Sequence, residues 1–238
     1  MTTTETKPET VNDAPLGTVE PIAAGDFVGM LADLLKSAGT DPVLPILTCV
    51  RLHTTDGWLH GWTTDRYIGA HARVEVRGAL PEPVWLFREA LDQLVKIGRK
   101  ARKVQLTTVT GCAKSQWGGR CVHIDVDGTS LHCEVNVDTS GTRSYQSVFT
   151  DELPKTSGAH LYQPKCLALF ASIAKRRGAT EYVTLVPGET QNRPTHVRIG
   201  DNYRAWVMPV RAAAVDSALE LDWLPASFDT ELPGGQAA

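Results

Sequence analysis

Apolar residues recur at helical and at strand spacing in an order that predicts a βαβββ unit over residues 18–78. The unit begins with a short edge strand at residues 19–23, and an amphipathic helix follows it. The helix is predicted from apolar residues at i, i+3 and i+4 spacing: Phe27, Met30, Leu31, Leu34 and Leu35. Three strand-like runs then cover residues 47–53, 58–63 and 68–76. Asp56-Gly57 between the first two runs indicates a hairpin turn.

The same order of elements returns over residues 82–138. A strand at 84–87 precedes a helix at 88–99, whose apolar stripe is Leu91, Leu94 and Val95. The predicted strands after it cover residues 103–110, 120–126 and 130–137. Asp127-Gly128 supplies the second hairpin signal.

A third unit covers residues 159–211. A short run at 160–163 leads into a helix that begins at Pro164, a residue favoured at the first helical position. The predicted buried stripe of this helix consists of Leu167, Phe170, Ala171 and Ala174. Gly178 ends it, and the strands that follow cover residues 182–186, 195–199 and 203–210.

The pattern predicts an α+β protein with one complete two-helix domain and a further half-domain. One helix covers one face of its unit's sheet and leaves the sheet edges open, so each unit needs another unit beside it. The first two units can complete each other, whereas the third has no partner within the chain. The predicted segments are a disordered tail at 1–16, a two-unit domain at 17–139, a linker at 140–157, a half-domain at 158–211 and a C-terminal tail at 212–238.

Several short segments resemble one protein family, and they occur in the order in which the family has them. Residues 42–52 (PVLPILTCVRL) and 57–65 (GWLHGWTTD) resemble the first unit of the bacterial sliding clamp, the beta subunit of DNA polymerase III. Residues 144–154 (SYQSVFTDELP) are similar to the connector after the family's first domain. In the third unit, the helix start at 162–165 (YQPK) and the ending at 203–211 (YRAWVMPVR) resemble the clamp's last half-domain.

The resemblance implies DNA-clamp-like βαβββ repeats and a non-enzymatic role in DNA replication, without a cofactor. A family chain has six such units in three domains, so this chain resembles a shortened, phage-type homologue. Four chains of three units would supply a twelve-unit ring, while pairing of the third units alone gives a dimer. The implied partners are double-stranded DNA, DNA polymerase or other clamp-binding proteins, and further copies of the chain as a homo-oligomer.

Basic residues at two helix ends are the candidate DNA-binding side chains: Lys96, Arg99, Lys100, Arg102, Lys103, Lys175, Arg176 and Arg177. Cations at a helix C-terminus also complement the helix dipole, so a purely structural role is equally favoured. In a clamp such helices present Lys and Arg to duplex phosphates, through contacts that carry no sequence information. The first helix is acidic on balance, with Asp26 and Asp33 against Lys36.

Two C-terminal segments are candidates for binding other proteins. Met208, Pro209, Val210 and Arg211 match the clamp segment that helps to form the pocket for client peptides, although an ordinary last strand packed in the core is the favoured interpretation. Residues 218–228 alternate acidic and hydrophobic residues, as in peptides that fold onto a partner's groove. The candidate anchors there are Trp223, Leu224 and Phe228.

Charge and composition exclude some classes of function. The 24 basic and 27 acidic residues give a net charge of −3, which excludes a globally basic nucleic-acid coat but not a local basic patch. Hydrophobic residues make up 42% of the chain, no apolar run approaches the ~20 residues of a membrane helix, and the first residues do not form a secretory signal. We therefore expect a cytoplasmic protein that does not bind membranes.

The sequence contains no pattern typical of an active site. Its five cysteines include no Cys-x-x-Cys pair, and the cluster of Cys112, Cys121, His123, His132 and Cys133 fits strand residues better than a metal site. Asp65 has no second carboxylate or histidine at useful spacing. Trp58 and Trp62 share a strand face, which favours packing over base stacking. The alternative to a clamp is a regulatory protein with the clamp fold, such as a transcription factor or decoy, that does not encircle DNA.

Overall fold

The computed structural model describes residues 15–110, 120–134, 160–178, 182–190 and 193–210. Within them there are three α-helices, and eleven strands form two antiparallel sheets, which confirms the predicted fold class. In chain order the elements are β1 (Pro15–Ala23), α1 (Ala24–Leu35), β2 (Cys49–Thr55), β3 (Trp58–Thr64), β4 (Ile68–Glu75), β5 (Val84–Phe87), α2 (Arg88–Gly98), β6 (Lys103–Thr110), β7 (Arg120–Val126), β8 (Thr129–Glu134), α3 (Pro164–Arg177), β9 (Val183–Val186), β10 (Thr195–Ile199) and β11 (Tyr203–Val207).

The first two units are held together by an exchange of strands. The strand before α1, β1, pairs with β6 of the second unit, and the strand before α2, β5, pairs with β2 of the first. The resulting sheets have the orders β1-β6-β7-β8 and β5-β2-β3-β4. Each unit thereby covers the sheet edge that the other leaves open.

The helices α1 and α2 pack against each other under these sheets. A Cβ added at Gly98 of α2 would lie 2.4 Å from the Cγ2 of Val28, so the two helices approach closely at this point. The Arg88 guanidinium, at the start of α2, donates hydrogen bonds to the carbonyl oxygens of Leu35 and Ala38, at 2.9 and 3.0 Å. These carbonyls lie at the C-terminal end of α1, where a helix has no internal donors for them.

The third unit does have a sheet partner within the chain, and the prediction that it has none is wrong for one of its edges. Its last strand, β11, pairs antiparallel with β4 from Tyr203 opposite Ala72 to Val207 opposite Ile68. The second sheet therefore continues to seven strands in the order β5-β2-β3-β4-β11-β10-β9. At its far end, β9 pairs only with β10 in the described residues. Comparing whole units in the sequence misses this junction, which needs only the edge strand of each unit, β4 and β11.

The predicted hairpin turns are confirmed, while several strand ends differ from the prediction. Asp56 and Gly57 have φ angles of 50° and 79°, and Asp127-Gly128 is similar, as a two-residue turn with two left-handed positions requires. Residues 45–48 form a short 3₁₀ helix, so the predicted strand at 47 begins at Cys49. The last strand ends at Val207, two residues before Pro209, which has no N–H to donate.

The core lies between the helices and one face of each sheet, and α3 is less completely buried than predicted. Phe170 and Ala174 are buried as expected. Leu167, however, is 41% exposed, and Ala171 is also exposed. The prediction for these two residues is wrong because no helix packs along α3 in the described structure as α2 packs along α1.

Stacked histidines lie on the face of the seven-stranded sheet that points away from α1. The rings of His53 and His60 are 4.9 Å apart, those of His60 and His71 are 5.1 Å apart, and Trp62 stacks on His71 at 4.1 Å. The Nδ1 atom of His60 lies 2.9 Å from the Nε2 atom of His71, and one of the two must accept the hydrogen bond. At least one of these two rings is therefore neutral.

Burial lowers the pKa of each of the three histidines, to about 4 for His53 and about 3 for His71. The neighbouring rings and the guanidinium groups of Arg51, Arg73 and Arg204 lower these pKa values further. The folded state consequently disfavours protons that the unfolded chain binds with a pKa near 6.5. Stability is then greatest above pH 6.5 and falls as the pH decreases toward 4.

We expect the free energy of unfolding to fall between pH 7 and pH 5, by about 2 kcal/mol for the mostly buried His71 and by less for His53 and His60, which solvent screens more. Urea unfolding followed by circular dichroism at a series of pH values measures this slope. The double variant His53→Gln, His71→Gln should flatten it. An equal slope in the variant and the parent protein would show that other groups cause the pH dependence.

Candidate nucleic-acid interface

Five predicted DNA-binding residues lie together where α2 ends and β6 begins, in a segment that we call the basic turn. Its members are Lys96, Arg99, Lys100, Arg102 and Lys103. All five residues are exposed. The carbonyl end of a helix carries partial negative charge, which stabilises cations there, but these exposed charges can also contact phosphates.

The backbone of the basic turn is fixed by contacts with two other elements. The carboxylate of Asp127, in the turn between β7 and β8, accepts hydrogen bonds from the N–H groups of Arg102 and Lys103, at 2.7 and 3.0 Å. These two bonds lower the pKa of Asp127. The carbonyl oxygen of Arg102 also accepts a hydrogen bond from the N–H of Ala24, at the start of α1. The turn therefore holds its five basic side chains on a constrained backbone.

Two of the predicted DNA-binding residues on α3, Arg176 and Arg177, form ion pairs with a buried carboxylate. Asp33 of α1 is 0% exposed, and its Oδ1 accepts a hydrogen bond from the Nε of Arg176 at 2.8 Å. Its Oδ2 accepts one from the Nη2 of Arg176 and one from the Nε of Arg177, the latter at 2.8 Å. We call these three residues the Asp33 cluster. It joins the helices of the first and third units.

Further polar contacts surround the Asp33 cluster. The guanidinium of Arg177 lies over the ring of Tyr203, 5.2 Å from its centroid, and burial raises the pKa of this tyrosine. The Nζ of Lys36 donates a hydrogen bond to the Ser172 hydroxyl at 2.9 Å. Burial lowers the pKa of Lys36, and the nearby positive charge of Arg176 acts in the same direction. The contact between α1 and α3 therefore includes several polar groups beside the apolar core.

The predicted cations therefore fall into two groups. The basic turn and Lys175 are exposed, whereas Arg176 and Arg177 are ion-paired with Asp33. A DNA contact remains a prediction for all of them. The sequence suggested that Asp33 makes α1 acidic, but it did not show that this carboxylate is buried and ion-paired with two arginines. The available signal was its position between Met30 and Leu34, on the apolar side of the helix.

The described part of the candidate peptide-binding segment runs along the edge of β4 and the start of the third unit. The N–H of Met208 donates to the carbonyl oxygen of Tyr67 and that of Val210 to the carbonyl oxygen of Leu161, both at 2.8 Å. Pro209 is buried, while Tyr67 and Val210 are exposed. The candidate residues Arg211, Trp223, Leu224 and Phe228 lie outside the described residues.

The other residues weighed from the sequence have structural contacts. The Oδ1 of Asp65 accepts hydrogen bonds from the N–H groups of Tyr67 and Ile68, which closes the turn between β3 and β4. Trp58 lies under the guanidinium of Arg73, at 4.1 Å from the ring centroid. The described residues contain no group of three His, Cys, Asp or Glu side chains placed to hold a metal ion. None of the helices described here has the length and apolar character needed to cross a membrane.

Solved structures with the same fold are bacterial DNA polymerase sliding clamps, which confirms the resemblance seen in the sequence. The clamp from Pseudomonas aeruginosa matches with a TM-score of 0.65 and 11% identity, over 87% of this chain and 70% of the clamp. The Bacillus subtilis clamp gives a TM-score of 0.63 and 12% identity, over 82% and 64% of the two chains. The DNA polymerase III beta subunit of Thermotoga maritima gives 0.60 and 12%, over 82% and 65%.

This chain therefore spans about two thirds of the length of these clamps, and at such low identity the similarity establishes the fold alone. No protein-family model and no curated protein sequence matches the chain.

We expect Asp33→Asn to lower the free energy of unfolding by about 3 kcal/mol, because it leaves two arginines at the junction without their carboxylate. Urea unfolding at pH 7 measures the loss. Asp26→Asn is the matched control, since Asp26 is exposed on the same helix and should contribute less than about 1 kcal/mol. Equal losses in the two variants would contradict a special role for the Asp33 cluster.

Proposed function

We propose that this chain is a sliding-clamp-like DNA replication protein. It binds duplex DNA through phosphates, without sequence preference, and acts as a non-enzymatic homo-oligomer. The sliding-clamp fold and the basic turn support this proposal together. The fold alone is compatible with many roles, and the exposed cluster of five cations is the observation that carries the DNA-binding step.

The chemistry of the basic turn fits a duplex backbone. Lys and Arg side chains neutralise phosphates and release bound counterions, which gives affinity without reading bases. The net charge of −3 leaves the rest of the surface acidic on balance, so attraction is concentrated at the cationic sites. Lys175 adds an exposed cation on α3, whereas Arg176 and Arg177 first serve the Asp33 cluster.

Protein partners would be DNA polymerase or other clamp-binding proteins. Exposed Tyr67 and Val210 flank the half-buried Met208 and the buried Pro209, and these two exposed side chains offer an apolar surface at the end of β11. Short client peptides bind such surfaces through a few apolar anchors.

A clamp-fold regulatory protein is the second candidate. It is favoured by the uneven distribution of positive charge: α1 contains Asp26 and Asp33 but no Lys or Arg, and its C-cap residue Lys36 is hydrogen-bonded to Ser172. Such a protein would bind DNA or replication proteins at one face and would not encircle the duplex.

We expect the triple variant Lys96→Gln, Arg99→Gln, Lys100→Gln to weaken binding to a linear duplex uniformly across sequences. Each lost phosphate contact reduces the slope of log affinity against log salt concentration by about 0.9. The variant should therefore lower this slope by about 2 to 3, as measured by fluorescence anisotropy over a salt series. A matched control, Arg66→Gln, Arg77→Gln, Arg193→Gln, removes the same charge from exposed positions elsewhere. If the two variants weaken binding equally, the basic turn is not the site.

Topological retention separates the two candidate functions. A protein that encircles DNA should remain on a closed circular plasmid during gel filtration at high salt and should be released when the plasmid is linearised. Because a ring must first pass onto the DNA, the protein is mixed with a linear duplex before ligation circularises it. A regulatory protein would give the same retention on both forms, or would shift one linear fragment in preference to competitors.

A further inference from the structure

Among the described residues of the third unit, one segment and one strand edge lack the pairing that their counterparts have in the first two units. In the complete domain, the strand before each helix pairs with the first strand after the helix of the other unit, β1 with β6 and β5 with β2. In the third unit, residues 160–163 precede α3 without belonging to a strand, and β9 pairs only with β10, as far as the structure describes the chain. The segment that would be donated and the edge that would receive it are both available.

Residues 160–163 already occupy the place of a β1-type strand. In the first unit, the carbonyl oxygen of Thr18 in β1 accepts a hydrogen bond from Ala79, which follows β4. In the third unit, the carbonyl oxygen of Leu161 accepts one from Val210, which follows β11. Strand β1 and residues 160–163 are thus hydrogen-bonded in the same way to the end of their own unit. They differ on the other side, where β1 pairs with β6 of the second unit.

The helix α3 resembles α1 on its buried side and differs from it in having exposed apolar residues on another side. Aligned on its buried residues, α3 matches α1 in three positions: Phe170 with Phe27, Ile173 with Met30 and Ala174 with Leu31. The alignment places Ala171 at the position of Val28, which contacts α2, and Leu167 at the position of the fully buried Ala24. Leu167 and Ala171 are exposed. Two positions that hold buried apolar residues on α1 therefore hold exposed apolar residues on α3.

The first strand after the helix repeats this pattern. Leu185 of β9 lies opposite the buried Val197 and so faces the helix side of the sheet, yet it is 38% exposed. Leu52, on the helix side of the corresponding strand β2, is completely buried beneath the paired units.

We propose that a second copy of this chain covers this surface, and that the two third units form one complete two-helix domain across the dimer. Each copy donates residues 160–163 to the β9 edge of the other, as β1 and β5 do within the chain. The two α3 helices then pack through Leu167 and Ala171. The proposal depends on the fold alone, so it holds whether or not the protein binds DNA.

Charge favours a second copy over a charged partner. A two-fold interface joins the same patch on both copies, so residues 160–163 of each copy would lie beside residues 183–186 of the other. Residues 160–163 and 183–186 contain no Lys, Arg, Asp or Glu. The edge of β9 also lacks the Lys or Pro residues with which monomeric proteins protect an exposed strand.

Light scattering after gel filtration should give the mass of two 25.9 kDa chains at micromolar concentration. The double variant Leu167→Glu, Leu185→Glu buries a charge at two points of the interface and should weaken the dimer by about 100-fold or more. Ile97→Glu is the matched control, because Ile97 is also a 41% exposed apolar residue but lies on α2. This control should remain dimeric, and circular dichroism should show all variants to be folded.

Hydrogen exchange supplies a test that needs no substitution. Amides of residues 160–163 and 183–186 should become protected as the protein concentration rises through the dimer range, while those of β2 stay unchanged. A monomer at 100 micromolar, a dimer that the double variant leaves intact, or concentration-independent exchange at these residues would each overturn the proposal. None of these readouts involves DNA, so failure here leaves the DNA-binding proposal to its own experiments.

Discussion

The antiparallel pairing of β4 with β11 is the interaction on which the arrangement of the whole chain depends. It joins one sheet of the two-unit domain to the strands of the third unit, so that seven strands form one continuous sheet. The Asp33 cluster supports the pairing on the helix side, where two arginines from α3 bind one carboxylate on α1. The backbone ladder within the sheet and the buried ion pair on its helix side therefore stabilise the same junction. Because a buried carboxylate requires its partners, the ion pair also fixes the position of α3 relative to α1.

This junction assigns separate tasks to residues that look equivalent in the sequence. Lys175, Arg176 and Arg177 are adjacent cations at one helix end, yet only the two arginines contact Asp33. Planar guanidinium groups suit a carboxylate better than an ammonium group does, since they can donate two parallel hydrogen bonds. Lys175 and the basic turn at the end of α2 are exposed to solvent.

The order of elements could be predicted from the sequence because local signals determine it. The spacing of Phe27, Met30 and Leu31 identifies a helix, and the two Asp-Gly pairs identify hairpins, without knowledge of any distant contact. The β4–β11 pairing and the burial of Asp33 could not be predicted, because each depends on residues more than a hundred positions away. The exposure of Leu167 escaped prediction for the same reason: an apolar stripe does not reveal whether another helix covers it.

The long separation between β4 and β11 also affects how the molecule reaches its final structure. During synthesis, β4 can pair with β3 well before residues 203–207 leave the ribosome, so its other edge stays open while the first two units fold. Contacts between distant segments form slowly because a long loop must close first. In a crowded polysome, β11 of one chain meets β4 edges of its neighbours as well as its own. Closure of the sheet within a chain therefore competes with exchange of β11 between chains.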